Sequence, residues 1–123
     1  MSEQAVARRE IAVKALREIG NSCRIWANSL HVPNTRAVKL IPDSWASVMA
    51  FITEQPQNIQ NIREAMHTLS EALLSVEATL TAYMQHGPSD RRELTPERQA
   101  LVGDLERYAK MSNELAMKLS ANR

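Results

Sequence analysis

The sequence predicts an all-α protein, a single-domain helical bundle in which short N-terminal helices precede an antiparallel pair of long helices. Three observations predict this fold class. Apolar residues recur every three or four positions along two long stretches, which is the period of a helix and not of a strand. The chain has only three Gly, few for a protein with many β-turns. Aromatic residues make up 4%, and six Met contribute to the apolar content, as suits a helical core.

The longest periodic stretch covers residues 56–85 and predicts one helix of about 30 residues. Small residues flank its apolar seam, which favours bundle neighbours on both sides over a two-stranded coiled coil with charged flanks. Pro56 suits its first turn and Gly87-Pro88 its end. The seam consists of Ile59, Ile62, Met66, Leu69, Leu73, Val76, Leu80 and Tyr83.

The last helix is predicted to begin at Thr95-Pro96-Glu97, which supplies an N-cap, a proline at the first helical position and an acid in the first turn. A short connection predicts antiparallel packing on the preceding helix, and the two form residues 56–123 of the single domain. The second seam again has heptad spacing, interrupted by one serine, and consists of Leu101, Leu105, Tyr108, Ser112, Leu115 and Leu119.

Four short helices are predicted in residues 1–54, the other half of the domain. Gly20 is the predicted end of the first helix, because glycine is the usual residue just past a helix C-terminus. Pro33 and Pro42 are expected to end the second and third helices. Trp45 is expected to face the core from the fourth. The predicted ranges are residues 2–19, 21–30, 34–41 and 43–54.

The formal net charge of +1 hides an asymmetry along the chain. Residues 1–40 have seven basic and three acidic side chains, whereas residues 41–90 have one basic and six acidic side chains. A basic segment can bind an acidic protein or a phosphate backbone, or it can balance the acidic middle of the same chain or of a second copy. The single Cys excludes an internal disulfide and fits a reducing compartment. No signal peptide or membrane-spanning stretch is evident, which predicts a cytoplasmic protein.

Residues 24–41 can be aligned with a helix-turn-helix. Trp26-Ala27, Leu30, Val32, Ala37 and Leu40 occupy its apolar positions, but His31 stands at the turn, where the motif prefers glycine. Plain helical packing explains the same pattern. The candidate nucleic-acid contacts are Arg24, Asn34, Thr35, Arg36 and Lys39 in this segment, with Arg8, Arg9 and Arg17 on the first helix.

No motif predicts an enzyme or a cofactor. Glu64 and His67 form a Glu-x-x-His as in di-iron bundles, but they lie off the apolar seam and no second copy is present. Cys23 on an apolar helix face is expected to be a small core residue and not a nucleophile. The three glycines stand alone, so no phosphate-binding loop exists. We therefore predict no metal ligands, no cofactor and no small-molecule substrate.

Two functions remain open. The first is a non-enzymatic protein that binds DNA or RNA through the basic helix-turn-helix-like segment, as a regulator or complex subunit. The second is a protein–protein interaction module, an inhibitor, adaptor or assembly subunit of the kind common in phages and plasmids, without nucleic-acid contact. A homo-oligomer or larger complex is expected in either case, because five residues suggest surplus apolar surface: Leu74, Leu80, Tyr83, Leu115 and Leu119.

Circular dichroism tests the predicted fold class. We expect roughly 65–75% helix, about twice the average for globular proteins. A substantial β-sheet component in the far-ultraviolet spectrum would contradict the fold class.

Overall fold

The computed structural model describes residues 3–32, 37–54, 60–86 and 95–121. These residues form four helices, α1 (Glu3–Ala27), α2 (Trp45–Thr53), α3 (Gln60–His86) and α4 (Pro96–Ala121). Helices account for 85% of the described residues, and no strand occurs among them. The predicted all-α bundle is therefore confirmed.

Helix α1 differs from its prediction, because it continues through Gly20 to Ala27. The expected end at Gly20 and the separate helix over residues 21–30 are wrong. Gly20 is buried against α4, where a Cβ atom would lie 3.0 Å from Nδ2 and Oδ1 of Asn113. A glycine inside a helix costs about 1 kcal/mol relative to alanine. Here it permits two helices to approach closely, so the tertiary contact outweighs the local signal.

The four helices form an up-down-up-down bundle. Helix α1 borders α2 and α4, and α3 borders the same two helices, so α1 and α3 are diagonal neighbours in the described part of the chain. Gly20 lies against Asn113, and Ser120 borders a groove along residues 6–21 of α1, so α1 and α4 are antiparallel. Arg8 contacts Glu54, which makes α1 and α2 antiparallel as well.

A non-helical segment, residues 37–44, occupies the place of the first half of the second bundle helix, and we call it the strap. The strap is hydrogen-bonded to α3. The Val38 N–H donates to the Thr81 hydroxyl, and the Leu40 and Ile41 N–H groups donate to the Glu77 carboxylate. Just after the strap, the Trp45 indole N–H donates to the Ser70 hydroxyl. From Thr81 to Ser70 these partners span 11 residues of α3, about 16 Å along its axis. The residues that they bind, Val38 to Trp45, are only seven positions apart and would span about 10 Å as a helix. The strap must therefore be more extended than a helix.

The expected helix over residues 34–41 is wrong for residues 37–41, which belong to the strap, while residues 34–36 lie outside the described residues. Val38 and Leu40 are buried, whereas Lys39 between them is exposed. This alternation is the period of an extended chain. Pro42 then accepts the N–H of Trp45 at 3.0 Å, and α2 begins there. The predicted fourth helix is confirmed as α2, although the N-cap Ser44 makes no side-chain capping bond.

Both long helices bury their predicted seams among the described residues, except that Tyr108 of α4 is half-buried. On α3, each seam residue from Ile62 to Tyr83 is buried. On α4, the Thr95 hydroxyl accepts the N–H of Arg98 at 3.1 Å, and Pro96 occupies the first helical position, so the predicted start is confirmed. Ser112 is buried in the seam, where its hydroxyl donates to the Tyr108 carbonyl at 2.7 Å. That bond satisfies the one buried polar side chain of the α4 seam.

The surplus apolar surface expected to drive self-association is not where the sequence placed it. Leu80, Tyr83, Leu115 and Leu119 are all buried within the chain. Leu74 alone among the five is exposed, at 58%. These seam residues are covered because α1 packs on α4 and the strap packs on α3. Val6 on α1 is another exposed apolar residue, at 43%.

The two helical glycines provide a matched pair of substitutions. A Cβ atom at Gly103 would meet nothing within 4 Å. Gly103→Ala should therefore raise the free energy of unfolding by about 1 kcal/mol in a urea titration. Gly20→Ala should give no such gain, because Asn113 must shift. In an Asn113→Ala background the gain at Gly20 should return. Equal stabilisation at both glycines of the wild-type chain would contradict the close contact between α1 and α4.

Candidate functional site

The predicted helix-turn-helix does not form in the described part of segment 24–41. Arg24 is exposed in the last turn of α1, and Lys39 is exposed on the strap. Asn34, Thr35 and Arg36 lie outside the described residues. The motif requires a second helix to enter the major groove. Residues 37–41 are not helical, so the motif is wrong for this stretch. The physical reason is that α3 binds the backbone N–H groups that a helix would use internally.

Arg8 and Arg17 lie on opposite sides of α1, because nine residues correspond to two and a half helical turns. Arg8 faces α2, where Nη1 lies 3.4 Å from Oε2 of Glu54 and the guanidinium carbon lies 4.9 Å from the Phe51 ring centre. An exposed pair of this kind contributes at most about 1 kcal/mol. Arg8 therefore serves the contact between α1 and α2 and does not share a surface with Arg17.

Lys39 is paired within the strap. Its ammonium group donates to the Asp43 carboxylate four residues later. This hydrogen bond and the charge of Lys39 hold the pKa of Asp43 below its usual value. The strap also borders a shallow cavity of about 360 Å³ with Glu18 and Ser22 of α1. The charge of Lys39 is thus paired with an acid of the strap itself.

A groove of about 820 Å³ runs along α1. Its apolar part consists of Val6 and Val13. Arg9 is half-buried at its edge, and the Nε atom of Arg9 is buried without a hydrogen-bond partner among the described residues. The remaining lining residues are polar or charged: Glu10, Lys14, Arg17, Glu18, Asn21 and Ser120.

The groove follows a stripe that we call the outer face of α1, at positions three or four residues apart. Arg24 extends this stripe one turn beyond the groove, and all members except the half-buried Val13 are exposed. The outer face of α1 consists of Val6, Glu10, Val13, Arg17, Asn21 and Arg24. Helical periodicity places these side chains on one side of α1.

The positive charges on the outer face of α1 and in the groove differ in their surroundings. Lys14 has Glu10 and Glu18 four residues away on either side, which is the spacing of helical ion pairs. Arg17 and Arg24 have no acidic residue three or four positions away. Neither arginine forms an ion pair with another described residue. Their charges are therefore available to a binding partner.

Helix α3 presents a second exposed stripe, the outer face of α3, on the diagonally opposite corner of the bundle. It consists of Glu64, His67, Glu71, Leu74 and Ala78. Glu71 forms no ion pair within the described chain. Glu64 and His67 of the Glu-x-x-His sequence are both exposed on this stripe. Within the described ranges no three His, Cys, Asp or Glu side chains converge as a metal site would require.

Cys23 is fully buried in α1, as expected for a small core residue. Burial raises the pKa of its thiol to about 11, so the thiol stays protonated at neutral pH. A protonated, enclosed thiol is a poor nucleophile.

Comparisons with known protein families, with curated proteins and with solved structures find no match for this chain. None of the helices in the described ranges combines the length and the apolar character needed to cross a bilayer. The candidate site is therefore identified from the structure alone, and it is the outer face of α1.

The sequence identifies Arg9, Arg17 and Arg24 as candidate contacts but not the apolar residues of the groove, Val6 and Val13. The sequence nevertheless contains a pattern that could have identified the whole face. Arg17 and Arg24 have no acidic residue three or four positions away on their own helix, and Val6 and Val13 share their stripe. The strap also had a signal, the alternation of Val38, Lys39 and Leu40.

The attachment of the strap can be tested at Glu77. Its Oε2 atom accepts the Leu40 N–H at 2.5 Å and the Ile41 N–H at 3.0 Å. Glu77→Ala should lower the free energy of unfolding by about 1–3 kcal/mol, because two partly buried donors lose their acceptor. Glu71→Ala, an exposed glutamate on the same helix, should stay within about 0.5 kcal/mol of wild type. Equal effects at both positions in urea titrations would contradict the strap's attachment.

Proposed function

We propose that the protein is a non-enzymatic protein–protein interaction module, an inhibitor, adaptor or assembly subunit, that binds its partner through the outer face of α1. The single observation that carries the proposal is the groove of about 820 Å³, in which Val6 and Val13 adjoin the unpaired Arg17. An apolar centre with a charged and polar rim is the arrangement of protein interfaces. Arginine is enriched there because its guanidinium binds carboxylates at two points.

Arg17 and Arg24 have no acidic residue three or four positions away on α1, which supports an acidic partner. A carboxylate brought to either arginine gains an ion pair and displaces no intramolecular one. The apolar residues require that the partner also present an apolar strip, as an amphipathic helix does. We therefore propose an acidic amphipathic helix as the bound element. The single buried thiol fits a reducing compartment, and we place the protein in the cytoplasm.

A second candidate function, nucleic-acid binding, is favoured by the same two arginines. Arg17 and Arg24 are seven residues apart on one side of α1, about 10 Å along the axis, and both are exposed. Such a row can contact phosphates without reading sequence. We rank it second because Val6 and Val13 lie on the same face and have no role against a phosphate backbone.

Site-specific cross-linking tests the first function. A photoreactive amino acid in place of Arg17, introduced in the native host cell, should give a discrete protein adduct that resists nuclease. The same amino acid in place of Glu114, an exposed residue of α4, should not. Val13→Asp should reduce the yield of an adduct formed from position 17 severalfold, because a charge enters the apolar part of the groove. The absence of any protein adduct at position 17 would overturn the proposal.

A gel shift with mixed DNA and RNA at low salt tests the second candidate. If Arg17 and Arg24 bind phosphates, the double alanine variant should lose affinity, and its salt slope should fall by about one per lost contact. Under our first proposal no shift appears at micromolar protein.

A further inference from the structure

We propose that the helix bound by the outer face of α1 is the outer face of α3 in a second copy of this chain. This inference rests on the proposed function and names the partner of the same groove. Helix α3 supplies what the groove needs. Its outer face has the exposed acids Glu64 and Glu71 and the exposed apolar residue Leu74.

The charges on the two faces match in spacing. Arg17 and Arg24 are seven residues apart on α1, and Glu64 and Glu71 are seven residues apart on α3. Seven residues return almost to the same side of a helix. Two helices aligned side by side can therefore satisfy both arginine–glutamate pairs at once. Arg17 and Glu71 each lack an ion pair inside their own described chain, so their contact displaces none.

The apolar residues decide the direction of the contact. An antiparallel alignment that sets Arg17 opposite Glu71 also sets Arg24 opposite Glu64. The same alignment brings Val13 beside Leu74 and Glu10 opposite Ala78, so Glu10 meets no acid. A parallel alignment also forms both charge pairs, but it moves Leu74 away from Val13 and beside Ala27. The antiparallel contact is favoured because it joins the apolar residues of both faces.

The position of the two faces in the bundle determines the type of assembly. Helices α1 and α3 are diagonal, so their outer faces point away from opposite corners. A contact between α1 of one copy and α3 of another leaves one free face on each copy. Such a heterologous contact extends into a ring or an open chain, and a symmetric dimer cannot satisfy both faces. A single helix–helix contact with exposed ion pairs is weak, so association should rise with protein concentration and fall with salt.

Charge reversal on the two faces provides the experiment. Arg17→Glu reverses a charge on the outer face of α1, and Glu71→Lys reverses a charge on the outer face of α3. In sedimentation velocity at low salt, from micromolar to submillimolar concentration, wild type should exceed the mass of a dimer at the highest concentrations. Each variant alone should sediment near the monomer mass of 13.8 kDa. An equimolar mixture should again exceed the mass of a dimer, because the two reversed faces pair with each other and the two unchanged faces, one with Arg17 and one with Glu71, pair as in wild type.

Two controls keep the result interpretable. Glu114→Lys reverses an exposed acid on α4 and should associate as wild type does. Circular dichroism and melting should show that all three variants fold. Wild type that stays monomeric at every concentration would overturn this inference, as would self-association of both variants or a mixture that stays monomeric. If position 17 nevertheless cross-links to a different protein, the interaction function stands and only the second copy is excluded.

Discussion

The carboxylate of Glu77 supports the least regular part of this bundle. A chain that crosses a helical bundle without forming a helix must find acceptors for its backbone N–H groups. Glu77 accepts two of these N–H groups, from Leu40 and Ile41, and Thr81 accepts a third from Val38 at 2.9 Å. These bonds allow the strap to replace half a helix and to bury Val38 and Leu40. The end of the strap also determines where α2 begins, because Trp45 reaches Ser70 at 3.0 Å.

The close approach of α1 and α4 governs the other side of the molecule. Gly20 leaves no side chain between the helices, so Asn113 can lie directly against the α1 backbone. Buried alanines on both helices, Ala12 and Ala15 on α1 and Ala109 and Ala116 on α4, are also small enough for a short interhelical distance. With the strap on one side and α4 on the other, α1 has one free side. The outer face of α1 lies on that side.

The surface chemistry of the bundle follows from this arrangement. Arg8 is drawn into the contact with Glu54 and Phe51, and Lys39 pairs with Asp43. Arg17 and Arg24, which form no ion pair with another described residue, stand beside the exposed Val6 on a face that no described helix of the same chain covers. Acidic and apolar side chains occupy the diagonal corner on α3. A protein whose free faces are complementary in charge and spacing is suited to assembly, and a phosphate-binding role would use only the arginines.

The sequence by itself determined the all-α class, helices α2, α3 and α4 and the buried seams, because helical periodicity and capping residues act over a few neighbouring positions. It also identified Arg17 and Arg24 as candidate contacts. Only the tertiary structure decided that Gly20 lies inside a helix and that residues 37–41 are not helical. In both cases a partner distant in sequence, Asn113 or Glu77, outweighs a local preference, which for Gly20 is about 1 kcal/mol. The exposure of Val6, and hence the apolar half of the candidate site, likewise depends on where α4 packs, which no local pattern contains.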